Sequence, residues 1–266
     1  MVFASAACAH TNPTLVPARI GRAGTVVVDV GGAYAAPVAE PVLAAGRTAD
    51  ERVRAGNAPT DDERAAIVRA ASAFGATSTG PASYLAVRGA LASRVELQGS
   101  LINLRTARFG VRRAFGFGAE EKWAFAMGLA ARGGVDLTSY RVAGGAELRG
   151  GEVFGGDFNA QIGRTSSELY DVWAGARVGY TYGGARLFHP SFMGAIGDPA
   201  GVLAARAHRV ELSLNVGLRV GFGRFAAVVE LDAMMAMFWA SADTTPVRVD
   251  GFALTLVPST ALAMTF

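Results

Sequence analysis

The chain alternates between apolar and polar positions. From Arg209 to Phe222, Val210, Leu212, Leu214, Val216, Leu218, Val220 and Phe222 share one face, while Arg209, Glu211, Ser213, Asn215, Gly217, Arg219 and Gly221 share the other. A period of two over this length is a β-strand. Read along the chain, the pattern predicts ten strands, over 25–34, 83–91, 94–102, 106–117, 122–131, 154–164, 169–182, 208–222, 225–239 and 252–266. Eight or twelve stay open, because residues 137–148 can supply another.

Residues 35–81 break the alternation. Thr48-Ala49-Asp50-Glu51 and Thr60-Asp61-Asp62-Glu63 both fit a capping box, and Gly56 and Gly75 stand where C-terminal caps would fall. The second helix carries Ile67, Ala70, Ala71 and Phe74 on a narrow face. That face would dock on something: a barrel mouth, a barrel interior or, most simply, the surface beside a long loop.

Ten antiparallel strands return both termini to one side. On that side the expected turns, 92–93, 118–121, 165–168 and 223–224, are all short. On the other side 35–81, 132–153, 183–207 and 240–251 are long, and only 103–105 is tight. Aromatic residues mark both ends. Phe115, Phe117, Trp123, Tyr170, Phe222, Phe225 and Phe266 fall at the short-turn end, and Tyr34, Tyr180, Tyr182, Trp239 and Phe252 at the long-loop end. Two such belts are expected where a barrel crosses two membrane interfaces.

Composition narrows the choice. Hydrophobic residues make up 51% and charged residues 18% of 266 positions, yet no run of about 18 apolar residues exists, which excludes a transmembrane helix. A formal net charge of +3 argues against nucleic acid as a partner. The single cysteine, Cys8, rules out an intrachain disulfide. Cys8 follows Ala4-Ser5-Ala6-Ala7, small residues that resemble the end of a bacterial lipoprotein signal, in which the cysteine carries the lipid. Residues 1–23 therefore read as a signal remnant and tether, and 24–266 as the barrel domain, with 35–81 as a helical insertion.

The closing alternation of Leu262, Met264 and Phe266, with its terminal phenylalanine, is similar to the signal read by the machinery that assembles outer-membrane barrels. With the strands, belts and loop asymmetry, the chain resembles a small bacterial outer-membrane β-barrel protein from about Thr25 to its end. The resemblance implies an all-β fold, a closed antiparallel transmembrane barrel of about ten strands in the bacterial outer membrane. Lipid would surround it, and the assembly machinery would be a partner. The expected role is structural or small-solute transport; with no Walker A loop, His-Glu-x-x-His or Gly-x-Ser-x-Gly motif in the sequence, no enzymatic activity, cofactor or metal is expected.

With the apolar face toward lipid, the lumen would receive Arg88, Glu96, Arg108, Arg112, Asp157, Asp171, Arg177, Arg209, Glu211, Arg219, Glu230 and Asp232. Both signs are present, so an ion-paired plug is expected rather than a charge-lined pore. Arg113 alone falls on the apolar face, where mid-bilayer placement would cost about 2–4 kcal/mol and interfacial placement about 0–1.

Two rivals stand beside this reading. A soluble lipocalin-like barrel would turn the apolar faces inward around a ligand. An outer-membrane enzyme would work at the outer rim and depend on His189 or His208. Ten strands with outer acids and a histidine resemble the omptin proteases in outline, but no motif of that family maps residue by residue, so no catalytic role is assigned.

Overall fold

The computed structural model describes residues 15–37, 41–77, 80–92, 94–118, 122–141, 147–166, 169–192, 201–242 and 248–266. Ten strands form one closed antiparallel sheet in which each pairs with its sequence neighbours and β10 closes on β1. In chain order they are β1 (Val26–Pro37), β2 (Gly80–Ala92), β3 (Val95–Ile102), β4 (Thr106–Phe117), β5 (Trp123–Arg141), β6 (Glu147–Thr165), β7 (Tyr170–Phe188), β8 (Val202–Phe222), β9 (Phe225–Ala242) and β10 (Arg248–Thr265). Two helices, α1 (Pro41–Arg54) and α2 (Asp61–Thr77), lie between β1 and β2.

The register is staggered as closure demands. A path of paired residues that leaves β1 at Val26 reaches β10 at Leu254, beside the Thr255 that pairs with Pro37. One circuit thus climbs from one end of β1 to the other, which tilts every strand against the barrel axis. The β1–β10 ladder runs from Val27↔Thr265 to Ala33↔Ser259 and resumes at Ala36↔Leu256. Pro258, which has no N–H to donate, sits in the gap.

The polarity of the wall selects between the two barrel readings. Large apolar side chains point out and stay exposed: Val30, Val87, Leu97, Phe109, Leu129, Phe158, Val178, Leu214, Leu231 and Leu262 among them. The expected charges point in and are buried, Arg219 only partly. A soluble barrel has the opposite arrangement, so the lipocalin-like reading is overturned. Both aromatic belts are exposed outward, with Phe117, Trp123, Tyr170, Phe222, Phe225 and Phe266 at one end and Tyr34, Tyr180, Trp239 and Phe252 at the other. Arg113 faces out without a bulge, four residues from the end of β4, with its guanidinium carbon 5.0 Å from the centre of the Phe115 ring. That placement supports snorkelling to the interface.

Several expectations need correction. Residues 137–141 and 147–148 form no extra strand, because they are the end of β5 and the start of β6, which pair with each other; residues 142–146 lie outside the described residues. Of the loops expected over 132–153, 183–207 and 240–251, residues 132–141, 147–153, 183–188, 202–207, 240–242 and 248–251 are strand. Strands β5 to β10 have 18–21 residues, whereas β1, β2 and β4 have 12 or 13 and β3 has 8. Only two to five residues of chain separate the paired strands at the inner end, so the surplus of roughly six residues stands at the outer end as a wall about 15 Å taller on one side.

The helices pack against the inner side of the tall wall. The Thr60–Glu63 capping box is formed, with Thr60 N–H donating to Glu63 Oε2 at 2.9 Å and Glu63 N–H to Thr60 Oγ1 at 3.3 Å. The Thr48–Glu51 box is not. α1 already starts at Pro41, where a missing N–H costs nothing, and Thr48 lies within it, its hydroxyl donating to the Ala44 carbonyl. Gly56 caps α1 at φ +87°, but Gly75 lies inside α2. α2 packs on β9 and β10 and touches β1. Ile67, Val68 and Ala71 of α2 and Ala49 of α1 are buried against Leu187, Phe192, Leu203, Ala240 and Val249 on the inner side of the tall wall. The insertion is thus a cap docked in the outer mouth, not a decoration beside a loop.

Candidate functional site

Three layers fill the barrel from one mouth to the other. The innermost is the chain's own N-terminal segment. Residues 15–20 do not trail away as a tether; Leu15, Val16, Pro17, Ala18 and Ile20 are buried inside the barrel. Room for them comes from small inward residues: Ala86, Ala90, Ala114, Ala124, Ala126, Ala226, Ala261 and Ala263. Gly163 matters here, since a Cβ on it would approach Ala18 Cβ to 3.0 Å. Polar contacts fix the segment at two points. Leu15 N–H donates to Glu230 Oε2 at 3.1 Å, and Arg112 Nη1 donates to the Pro17 carbonyl. Glu230 Oε2 also accepts from Trp173 Nε1 at 3.1 Å and Asn215 Nδ2 at 2.9 Å.

The middle layer is ionic. Arg88 forks onto Asp29 at 2.8 and 3.2 Å, and Arg108 onto Asp157 at 2.9 and 2.6 Å. Arg112 meets Glu96 at 3.0 Å, Arg177 meets Asp232 at 3.2 Å and Arg219 meets Asp171 at 3.2 Å. Glu211 is shared by Arg132, which bonds it directly, and Arg209 at 3.0 Å. Together with Glu230, these are seven arginines against seven carboxylates among the described residues. Charges buried this deeply persist because each has a partner or hydrogen-bond donors.

Every lumen charge expected from the sequence faces inward, and the structure adds Asp29 and Arg132 to them. Asp29 lies at an inward-facing position of the first strand, and Arg132 one residue past the expected end of the fifth. Extending the alternation by one step would have found Arg132. The signal for the buried segment was the run of alanines on the inward face, a lining too small to fill a ten-stranded barrel by itself.

The outer layer is the cap and its polar contacts. His189 follows β7 at the tip of the tall wall and is fully buried. Ser191 N–H donates to its Nδ1 at 3.1 Å, and Ser191 Oγ lies 2.7 Å from the same atom. Nδ1 is therefore an acceptor, and Nε2 carries the proton that it donates to Asp50 of α1 at 3.0 Å. Arg54 Nε donates to the same Asp50 oxygen at 2.7 Å, and Arg64 Nε of α2 donates to the Ser191 carbonyl at 3.1 Å. Burial pushes the His189 pKa down, and the Asp50 bond only partly opposes it. Burial tends to raise the Asp50 pKa, but its bonds to Arg54 and His189 outweigh that and hold it below the usual carboxylate range.

The other rim histidine is elsewhere. His208 stacks on Trp239 with ring centres 5.5 Å apart and receives or donates a 2.6 Å bond with the Tyr180 hydroxyl. It belongs to the outward aromatic belt, so the two histidines do not form one site. Leu262, Met264 and Phe266 are exposed along the outward face of β10 and its end. Cys8 lies outside the described residues. Among the described residues no cluster of histidine, cysteine and carboxylate side chains is arranged to hold a metal.

No protein-family model and no curated protein matches the chain. Solved structures do. The attachment invasion locus protein Ail of Yersinia pestis is 11% identical, with 92% of this chain and 99% of that chain covered at a TM-score of 0.32. Neisserial surface protein A, NspA, is 11% identical over 91% and 96% at 0.31, and the outer membrane phospholipase A of Escherichia coli is 10% identical over 91% and 97% at 0.19. Closure, outward apolar faces and two aromatic belts make this chain a closed transmembrane β-barrel of the outer-membrane kind.

Proposed function

We propose that the protein is a sealed outer-membrane barrel with a structural role, closed at rest, through which small solutes pass only when its own segments are displaced. The observation that carries this reading is the triple filling of the lumen. The N-terminal segment occupies the inner part, seven ion-paired arginines and seven carboxylates occupy the middle, and α1 and α2 cover the outer mouth. A diffusion pore keeps a continuous wet path, and its charges remain free to meet solutes. Here the charges meet one another. The exposed Leu262, Met264 and Phe266 serve, on the same reading, as the assembly signal of the last strand.

The test is conductance. Full-length protein inserted into planar bilayers at neutral pH should give no stable channel events. Deletion of residues 1–23 removes the inner filling and should give brief, small openings while the heat-dependent gel shift of a folded barrel is kept. Steady channels from the intact protein would overturn the sealed reading.

A further inference from the structure

We propose that the outer cap is held by an acid-sensitive latch, made by His189 between α1 and the connection from β7 to β8, which releases the helices when His189 takes up a second proton. This rests on the sealed-barrel reading and adds the condition under which the outer seal opens. Ser191, His189 and Asp50 have the composition of a hydrolase triad, but their bonding says otherwise. Both Ser191 contacts fall on one ring nitrogen, the serine and histidine are shut off from solvent, and the serine lies only two residues from the histidine. Local capping of the turn at Pro190–Phe192 accounts for that geometry.

The same bonds make a good latch. Neutral His189 is used at both nitrogens: Nδ1 accepts from Ser191 N–H, and Nε2–H donates to Asp50. It thereby ties the outer tip of the tall wall to α1, while Arg64 ties α2 to the Ser191 carbonyl. A proton on Nδ1 would point N–H at the Ser191 N–H and break that bond, leaving the Ser191 hydroxyl as the one acceptor beside it. The charged groups that face His189 are Asp50 and Arg54 from α1 and Arg64 from α2, the last paired with Asp61 at 2.6 Å. The His189 ring lies 5.7 Å from that of Phe192, which belongs to the apolar cluster with Leu203 of β8, Ala240 of β9 and Val249 of β10. They offer nothing to solvate an imidazolium, so burial lowers the His189 pKa from its ordinary 6.5.

The sign follows from linkage. A base whose pKa is lowered when docked binds its proton more readily when undocked. The docked state therefore has its full stability above pH 6.5 and loses it as pH falls through the lowered value. Asp50, which its docked partners Arg54 and His189 hold below the usual carboxylate range, acts in the same direction.

The experiment is a spin-label distance between Ala45 on α1 and Ser241 on β9, both exposed, in full-length protein with Cys8→Ser. At pH 8 one narrow distance is expected. At pH 5 a second, longer and broader population should appear, and in His189→Gln, which keeps an acceptor and a donor but cannot charge, it should not. A wild-type distance indifferent to pH overturns the latch, as does an acid response that survives His189→Gln. If His189→Gln is undocked at both pH values, ¹⁵N NMR titration of the wild-type His189 ring decides. A midpoint shared with the distance change supports the latch, and a separate midpoint overturns it. Bilayer recordings at pH 8 keep the two readings apart. Channels there sink the sealed barrel alone, whereas silent bilayers with an unmoving cap sink the latch alone.

Discussion

Glu230 shows how much one residue can hold in a barrel interior. Its Oε2 accepts from the backbone of Leu15, the indole of Trp173 and the amide of Asn215, so it joins the inner filling to the wall. Gly217 completes the arrangement: a Cβ there would fall 2.2 Å from the Trp173 ring, so only glycine lets the indole reach Glu230. Removing the carboxylate leaves buried donors unmet, at about 1–3 kcal/mol each. In a protein carrying Cys8→Ser and Leu15→Cys, a maleimide at neutral pH should label the introduced thiol slowly. Adding Glu230→Ala should speed labelling at least tenfold, which corresponds to about 1.4 kcal/mol. Unchanged labelling would mean that the alanine lining, rather than Glu230, retains the segment. Neither role was legible in the sequence. Glu230 was one charge among many on an inward face, and an N-terminal stretch with two prolines carries no periodicity to announce where it goes.

At the scale of elements, the strands within the membrane were legible and their outer extensions were not. Inside the bilayer, apolar residues face out. Above it the rule reverses, because the outer side meets water and the inner side meets α2. Arg186, Arg206, Ser241 and Arg248 face out there, while Leu187, Leu203, Ala240 and Val249 face in. A period-two pattern that changes sign looks like the end of a strand, so these stretches read as loops. The cap depends on that reversed wall. Ile67 is fully buried against it, and Ile67→Ala should weaken docking by about 2–5 kcal/mol. Trypsin should then cut at Arg52 or Arg54 much faster, with the barrel itself still resistant and still heat-modifiable. Equal cutting rates in the two proteins would show that the polar latch, not the apolar face, provides most of the docking energy.

At the scale of the whole molecule, the balance of charge carries the argument. Seven lumen arginines and seven carboxylates cancel, so the interior has no net field to draw ions of either sign. Such a lumen has no use for selectivity while it is filled; its charges are packing, and most of the pairs tie one strand to another, as Arg88 of β2 does to Asp29 of β1 and Arg108 of β4 to Asp157 of β6. The design becomes visible only when the fillings are removed. Protein lacking residues 1–23 and carrying Ile67→Ala to free the cap should pass potassium and chloride almost equally. Adding Glu211→Gln should change that, because Glu211 is the carboxylate shared by Arg132 and Arg209, and its loss leaves an excess of positive charge in the middle layer. The reversal potential in a salt gradient should then move toward that of chloride. A reversal potential that stays put would mean that ions bypass the ionic layer, and the pairs would then be structural and nothing more.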